Sequence, residues 1–317
     1  MIDVGKNIMA TYAANLASLP AKEELHWRLR LFRTGLDQTG GARIKALFFK
    51  QAAAVIPVFA SARDSGSCRD LGLKLLLKIK KNSPRQKKRL EVYRQVPEVL
   101  VHMRLLLFLF LVKSLKMQNH LQIKPFYDAK IDFYRKNPTV NLFLRDDFVL
   151  ANPSQTANLI YYLIYLGLEN REVALIAKFK KYFLEEIPKN RDDWLYQVYA
   201  LTHLFIAASD YYQHFLESQK FAFALNFFEN NFSRVLLETT PDVVAEAGLA
   251  FKLCRDFHHP VVAKIKAYLA GCFDPQKGYL PKERNDSLAK AEHRNIMAVM
   301  VLEDFVSLFP GPDLSLI

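Results

Sequence analysis

Apolar residues recur along nearly the whole chain at intervals of three and four positions. Such spacing is typical of α-helices that bury one face, whereas strict alternation flanked by hairpin turns is not found. The sequence therefore predicts an all-α fold. Helices are expected at about 6–18, 22–35, 42–62, 68–80, 86–96, 98–118, 124–136, 153–167, 170–186, 192–208, 211–235, 240–256, 260–272 and 287–308.

A weak internal repeat runs through the second half of the chain. Four segments each pass from an apolar helix to an acidic corner, and aligning Glu169, Asp210, Asp256 and Asp304 gives spacings of 41, 46 and 48 residues. Paired antiparallel helices at this period are typical of helical solenoids and closed helical toroids. Because the spacing is irregular and polar capping repeats are lacking, we favour an α/α toroid, with an open helical-repeat solenoid as the alternative.

Charge divides the chain into two unequal halves. The net charge is +12 over 317 residues, but residues 1–150 carry 27 Lys/Arg against 12 Asp/Glu, and residues 151–317 carry 17 against 20. With 51% hydrophobic residues the chain can bury a large core, which excludes a disordered protein. We predict a single all-helical domain over 1–317, with a basic half and a repeat-like half of helix pairs.

Three cysteines, Cys68, Cys254 and Cys272, show no CxxC pair and no disulfide framework, which favours a reducing, cytoplasmic location. Export is the alternative if the N-terminal stretch is a signal peptide, although polar residues interrupt that stretch. The most apolar run, Leu105 to Val112, would rise about 12 Å as a helix, far less than the roughly 30 Å of a bilayer core. We therefore expect it to be a buried helix of a soluble protein.

The predicted helix 192–208 carries Tyr196, Tyr199 and His203 on one face, with Asp210 just beyond its end. An imidazole beside two phenols suits a general base, a substrate hydrogen bond or a metal ligand. The alternative is a core histidine satisfied by a tyrosine hydroxyl or a backbone carbonyl. We take His203 as a catalytic candidate and Tyr196, Tyr199 and Asp210 as substrate-binding candidates.

Two further catalytic candidates lie in the last helices. Glu246 is surrounded by apolar residues, so burial would require a charged partner or a raised pKa, as in a general acid. The alternative is an interaction with the dipole of its own helix. His293 begins an apolar final helix together with Glu292, Arg294 and Asn295, and lies at the rim of a pocket or serves only to cap and solvate that helix.

Two basic segments are candidates for binding an anion. The segment HWRLRLFR places His26, Arg30 and Arg33 on one helical face, suited to clamping a carboxylate or phosphate, with an amphipathic helix paired to Glu23 and Glu24 as the alternative. The run at 78–89 has no acidic residue and is expected in an exposed loop that is solvated or binds nucleic acid or anionic lipid. Its cations are Lys78, Lys80, Lys81, Arg85, Lys87, Lys88 and Arg89.

Several familiar kinds of site lack their motifs. No phosphate-binding glycine loop, dinucleotide fingerprint or nucleophile elbow occurs, and no RNP aromatics, GxxG clamp or convincing helix-turn-helix accompanies the basic run. Zinc could be bound, by residue type alone, by Cys254, His258 and His259 together with His203 or His293. No zinc-binding motif accompanies these residues. The sequence predicts no metal and requires no cofactor.

The segments YALTHLFIAASDYY, EHRNIMAVMVLED and HWRLRLFR resemble an uncharacterised family of bacterial all-helical proteins, over about residues 20–308. More distantly, the helix pairs look like the α/α-toroid superfold of terpenoid cyclases, prenyltransferase β subunits, lanthionine cyclases and polysaccharide lyases. That resemblance implies a central pocket with His203, Glu246 and His293 as candidate positions. The aspartate-rich and zinc motifs of the named enzymes are missing, so no activity of theirs transfers.

The leading hypothesis is a toroid protein that binds a small molecule or oligomer, including an anionic one, in a central pocket, with acid/base catalysis by His203, Glu246 and His293. The alternative is a helical-repeat interaction protein that binds nucleic acid or an acidic partner through its basic half.

Overall fold

The computed structural model describes residues 3–79, 84–281 and 286–317. Within these residues the chain forms 17 α-helices and no β-strand, which confirms the all-α prediction. The helices are α1 (Val4–Asn15), α2 (Ala21–Arg33), α3 (Gly41–Phe59), α4 (Ser65–Leu76), α5 (Pro84–Gln95), α6 (Val99–Ser114), α7 (Lys124–Lys136), α8 (Val140–Phe143), α9 (Asp146–Ala151), α10 (Pro153–Leu166), α11 (Glu172–Phe183), α12 (Arg191–Ala208), α13 (Ser218–Asn230), α14 (Phe232–Glu238), α15 (Pro241–Leu253), α16 (Pro260–Gly271) and α17 (Leu288–Leu302).

The predicted helix 211–235 is wrong at both its start and its middle. Asp210, Tyr211 and Tyr212 all have positive φ, so the chain leaves α12 through a tight turn and does not resume a helix until α13. The Ser209 hydroxyl accepts a hydrogen bond from the Tyr212 backbone N–H at 2.9 Å and holds this turn. A second break at Asn231 separates α13 from α14. Apolar periodicity continues through such turns and therefore does not reveal them.

The last helix ends at Leu302, six residues before the predicted end. The Lys252 ammonium, fully buried on α15, donates hydrogen bonds to the carbonyls of Met300 (2.8 Å), Val301 (3.2 Å) and Glu303 (2.6 Å). These are carbonyls that a helix end leaves unpaired, so Lys252 caps α17 from a neighbouring helix. Burial lowers the pKa of Lys252 to about 7.

The chain forms two compact units. The first comprises Met1–Leu47 and Glu186–Pro312. Its centre is α15, which packs against α12, α16 and α17, while α17 also packs against α1 and α2. Gly248 allows close packing of α15, because a Cβ there would lie 3.3 Å from the Ile265 side chain on α16. This unit therefore brings α2, α12, α15 and α17 into one core.

The second unit comprises Phe48–Glu185 and Asp313–Ile317. Its core helix is α6, which packs against α4 and α10 and is buried on nearly all sides. The buried His102 contacts the Tyr134 hydroxyl at 3.0 Å, and burial lowers its pKa to about 4. The apolar run at Leu105–Val112 is thus a core helix, as predicted.

No single helix in the described ranges is both long and apolar enough to cross a membrane. One bent pair, Arg85–Gln95 with Val99–Ser114, reaches the required length and composition only as two segments that meet at 96°. The toroid, the solenoid and the single domain over 1–317 stay predictions.

Candidate functional site

Two consecutive residues of α17, Glu292 and His293, each form a hydrogen bond with a side chain from another helix of the first unit. Glu292 Oε1 lies 2.7 Å from Nδ1 of His26, which α2 supplies. The Glu292 side chain is 4% exposed and the His26 ring 24% exposed. A partly exposed histidine is therefore hydrogen-bonded to a buried carboxyl group.

His293 belongs to a second group of side chains, whose centre is Glu246. Glu246 lies on α15 and is completely buried. Its Oε1 lies 3.1 Å from Nε2 of His293 and 3.9 Å from Nε2 of His203, while its Oε2 accepts a hydrogen bond of 2.7 Å from the Thr202 hydroxyl. The three residues predicted to be catalytic thus come together around one carboxylate. Their proposed roles remain predictions, because proximity alone does not establish chemistry.

The two histidines, one from each group, lie side by side and line one pocket. The rings of His26 and His293 have centroids 5.5 Å apart and are tilted by 50°. The pocket has a volume of about 480 Å³. Its lining residues are Pro20, Lys22, Glu23, His26, Ala289, Lys290, Glu292 and His293. Glu246 and His203 are not part of this lining, so they reach the pocket only through His293.

Glu246 is an ionised carboxylate. Burial raises the pKa of Glu246, but His203, the hydrogen bond from His293 and the Thr202 hydroxyl outweigh burial and bring the pKa below its usual value. The sequence left two outcomes for a buried Glu246: a charged partner, or a raised pKa suited to a general acid. The structure has the first outcome, because His203, His293 and Thr202 all favour the charged form of Glu246.

Glu292 has the opposite environment. Burial raises the pKa of Glu292 to about 7, because Arg30 and His293 compensate only part of the cost of burying its charge. Burial, together with the nearby charges of Arg30 and His293, lowers the pKa of His26 well below its usual value. Below about pH 7 these shifts favour a proton on Glu292 that is donated to Nδ1 of His26.

Arg30 and Arg33, predicted to bind an anion, are both buried on α2. Arg30 donates a hydrogen bond to the backbone carbonyl of His26 at 3.3 Å and lies over the ring of Tyr212, 5.6 Å from its centroid. Arg33 donates to the Tyr211 carbonyl at 3.1 Å. Only His26 of the three predicted residues on this helix lines the pocket.

The remaining substrate-binding candidates lie near α12 and do not line the pocket. The ring of Tyr199 packs on His203 with centroids 4.2 Å apart, and Tyr196 is partly buried on the same helix. Asp210 pairs with His214 at 3.1 Å in the turn after α12. Substrate binding by these residues stays a prediction.

The zinc set considered from residue types does not assemble. The imidazole of His259 accepts a hydrogen bond from the Val261 N–H at 3.2 Å and stacks on Phe251 with centroids 4.3 Å apart. Cys254 is buried at the end of α15, and burial raises the pKa of its thiol to about 12. No three His, Cys, Asp or Glu side chains in the described part of the chain are arranged to hold a metal ion.

The basic run is not an exposed loop throughout. Residues 85–89 form the first turns of α5, where the Arg89 Nε donates to the Ala151 carbonyl at 3.1 Å and Arg85 is partly buried. Lys78, Lys87 and Lys88 are exposed. Lys80 and Lys81 lie outside the described residues. Pro84 is the first residue of α5, a position at which proline is well tolerated.

Three residues that line the pocket were not among the sites predicted from the sequence: Glu292, Lys22 and Lys290. The signal for Glu292 is a glutamate beside a histidine just before an apolar run, but its partner His26 is 266 residues away in the chain. No helical period connects residues at that distance. The lysines follow no motif and become part of the site only through the pocket.

A family model described as "Domain of unknown function (DUF3541)" matches residues 2–316. The chain belongs to this family. The DUF3541 match confirms the expected membership of an uncharacterised family, while the bacterial origin and the toroid resemblance stay predictions. No curated protein and no solved structure matches the chain. Every role assigned to a residue of this DUF3541 protein must therefore come from its own geometry.

Proposed function

We propose that this protein is an acid–base enzyme that moves protons on a small anionic substrate bound in the pocket that His26 and His293 line. One observation carries the proposal: two histidine rings 5.5 Å apart border one pocket, and each is paired with a different buried carboxyl group. The pKa of Glu292 is raised and that of Glu246 is lowered, which separates an acid from a base.

His293 acts as the base. The ionised Glu246 accepts the hydrogen bond from Nε2–H of His293, which fixes the tautomer and leaves Nδ1 with a lone pair. Glu246 also stabilises the imidazolium that forms when Nδ1 takes a proton. Thr202 and His203 hold Glu246 in its charged form and are positioning residues.

His26 acts as the acid, with Glu292 as its proton reserve. Glu292 donates its proton to Nδ1 of His26, so the proton of the neutral imidazole is on Nε2. When Nε2–H is given to the substrate, Nδ1 takes the proton of Glu292, and the glutamate is left as a carboxylate. In total, the His26–Glu292 pair loses one proton, and the substrate gains it.

The substrate class follows from the pocket. Lys22 and Lys290 are exposed residues of the lining. The raised pKa of Glu292, about 7, keeps this carboxyl group mostly uncharged at pH values below 7, where Glu23 is the one charged acid in the described lining. A volume of about 480 Å³ is in the range for one small molecule. We place the substrate carboxylate beside the lysines and its neighbouring carbon within reach of the two histidines that line the same pocket. The reaction class is an isomerisation or elimination that begins with proton removal from that carbon.

A test is proton–deuterium exchange in D₂O, followed by NMR on a panel of hydroxycarboxylates and sugar acids. We expect exchange at the carbon next to the carboxylate, reduced about 100-fold or more by His293→Gln and by His26→Gln. The matched control is His214→Gln, since His214 also pairs with a carboxylate but lies outside the pocket. Loss of exchange in the control, or full exchange in His293→Gln, would contradict the proposal.

A second measurement needs no substrate. In ¹⁵N-histidine spectra His293 should show the Nε2–H tautomer, and Glu246→Gln should give a tautomer mixture because a carboxamide has no charge to hold the proton on Nε2. An unchanged tautomer in Glu246→Gln would remove the proposed base. Circular dichroism of each variant verifies that the helices are retained.

The proposal includes a cytoplasmic location, supported by the three free cysteines of the described chain. It also includes the α/α toroid, supported by the spacing of the helix pairs in the sequence.

A further inference from the structure

The second unit has a pocket of its own, in the angle between α5 and α6. The two helices meet at 96°, so their facing sides diverge and leave a space of about 250 Å³. Both helices contribute lining residues at helical spacing: Gln86, Arg89, Leu90 and Tyr93 on α5, and Leu100, Met103 and Arg104 on α6. The lining residues of each helix therefore share one face, and the two faces border one pocket.

The wall of this α5–α6 pocket is largely apolar. Leu90, Tyr93 and Leu100 are buried, and Met103 is half-buried. The Tyr93 hydroxyl donates a hydrogen bond of 2.6 Å to Oδ1 of Asn152, so its proton already has an acceptor. Methionine is flexible and adapts its shape to what packs against it. The wall therefore suits the hydrocarbon part of a ligand.

Two arginines add positive charge to this apolar wall. Arg89 is half-buried, and its Nε donates a hydrogen bond of 3.1 Å to the Ala151 carbonyl, which orients the guanidinium group. Arg104 is exposed. No acidic residue belongs to the lining, and within the described part of the chain neither arginine forms an ion pair with a carboxylate. The guanidinium groups therefore have donors left for an anion.

We propose that the α5–α6 pocket binds a small organic carboxylate with an apolar body. The carboxylate accepts hydrogen bonds from Arg89 and Arg104, and the hydrocarbon part lies against the buried residues of the wall. Charge complementarity names the anion, because the lining holds two cations and no acid. A volume of about 250 Å³ is just below the range of drug-sized ligands and suits a compact molecule.

Both parts of the pocket are needed to define this ligand. Inorganic phosphate would pair with the arginines but leave the apolar wall in contact with water. A neutral hydrocarbon would cover the wall but remove water from the arginines without supplying an acceptor, which costs free energy. A carboxylate with an apolar body avoids both costs.

The probe is octanoate, titrated into the full chain labelled with ¹³C at its methionine methyl groups. Met103 lines the pocket, whereas Met117 is buried in the same unit outside the lining. We expect octanoate to shift the Met103 signal, which Met103→Leu identifies, and to leave the Met117 signal unchanged. Octanol and inorganic phosphate should each bind at least about tenfold more weakly, since each makes only one of the two kinds of contact.

Arg104→Gln should weaken octanoate binding about tenfold, because it removes one charged donor. The matched control is Arg94→Gln, which changes the net charge equally at an exposed position of α5 outside the lining. Circular dichroism verifies that both variants keep their helices.

An unchanged Met103 signal overturns the proposal, and so does equal loss of binding in the Arg94→Gln control. Phosphate binding as tight as that of octanoate would show attraction by charge alone and overturns it as well. His293→Gln should bind octanoate normally, and Arg104→Gln should keep the deuterium exchange. This inference and the proposed function can therefore fail independently.

Discussion

Glu246 and Glu292 show how neighbours decide the state of a buried carboxyl group. Both are almost completely buried, and burial raises the pKa of both. Glu246 is surrounded by two imidazoles and a hydroxyl that favour its charged form, whereas Glu292 contacts only His26 within hydrogen-bonding distance in the described structure. The number of donors around each carboxyl group, and not its burial, separates the two.

The raised pKa of Glu292 predicts a measurable pH dependence of stability. In the unfolded chain the carboxyl group loses its proton near pH 4.5, while in the folded protein it keeps the proton until about pH 7. Stability therefore falls as pH rises across this interval, by about 3 kcal/mol from this group. Glu292→Gln should remove that fall, so the variant should gain stability relative to the wild type between pH 5 and pH 7.5.

Urea unfolding of both proteins at the two pH values gives this difference directly. The comparison uses the difference in unfolding free energy between variant and wild type, because His26 changes stability with pH in the opposite direction to Glu292. Its lowered folded pKa makes stability fall as pH drops below its unfolded value. A parallel pH dependence in the two proteins would contradict the raised pKa of Glu292.

Among the helices, α4 shows how a glycine sets the distance between elements. Gly72 lies inside α4, where a Cβ would overlap the carbonyl of Pro97 and come within 2.8 Å of the Glu98 nitrogen. Backbone atoms cannot move aside as the end of a flexible side chain does. The approach of α4 to the segment before α6 thus requires a residue without a side chain.

Gly72→Ala should destabilise the protein by about 2 kcal/mol or more, because the helix must shift away from Pro97. Gly66→Ala is the control in the same helix. A Cβ at Gly66 meets only the Asp64 carboxylate at 3.4 Å, so this change should be neutral or stabilise by up to about 1 kcal/mol through helix propensity. Thermal unfolding distinguishes the two variants, and equal effects would show that the close contact is unimportant.

At the scale of the whole molecule, the excess charge of +12 affects how anions reach the protein. The sequence locates that excess in residues 1–150, yet the two lysines of the candidate site come from both halves, Lys22 from α2 and Lys290 from α17. The positive charge at the pocket is therefore produced by folding, and the net charges of residues 1–150 and 151–317 do not predict it.

Inorganic phosphate is a simple probe of that local charge. We expect its affinity, measured by NMR shifts of the labelled His26 and His293, to fall about tenfold between about 50 mM and about 500 mM salt. Lys22→Gln with Lys290→Gln should weaken binding about tenfold at the lower salt. Lys189→Gln with Lys264→Gln changes the net charge equally at exposed positions outside the lining, and should have little effect. Equal effects of the two double variants would assign binding to net charge alone.

Much of the fold was predictable because helix formation is mostly local. The period of apolar residues predicted the helices and the buried run in α6, and burial of that run follows from its composition. The turn after α12 was not predictable from periodicity, since it depends on three consecutive residues with positive φ and on the Ser209 hydroxyl. Likewise, Lys252 ends α17 from another helix, across 48 residues of sequence.

The sequence by itself determined the helical class and the uneven charge, and it selected His203, Glu246 and His293 as candidates by residue type. Only the tertiary structure joined Glu292 to His26, and only its contacts lower the pKa of Glu246 while burial raises that of Glu292. The physical reason is that hydrophobic periodicity acts over a few residues of one helix. A carboxyl pKa depends instead on every donor and charge within a few ångströms, and folding brings those groups from α2, α12, α15 and α17.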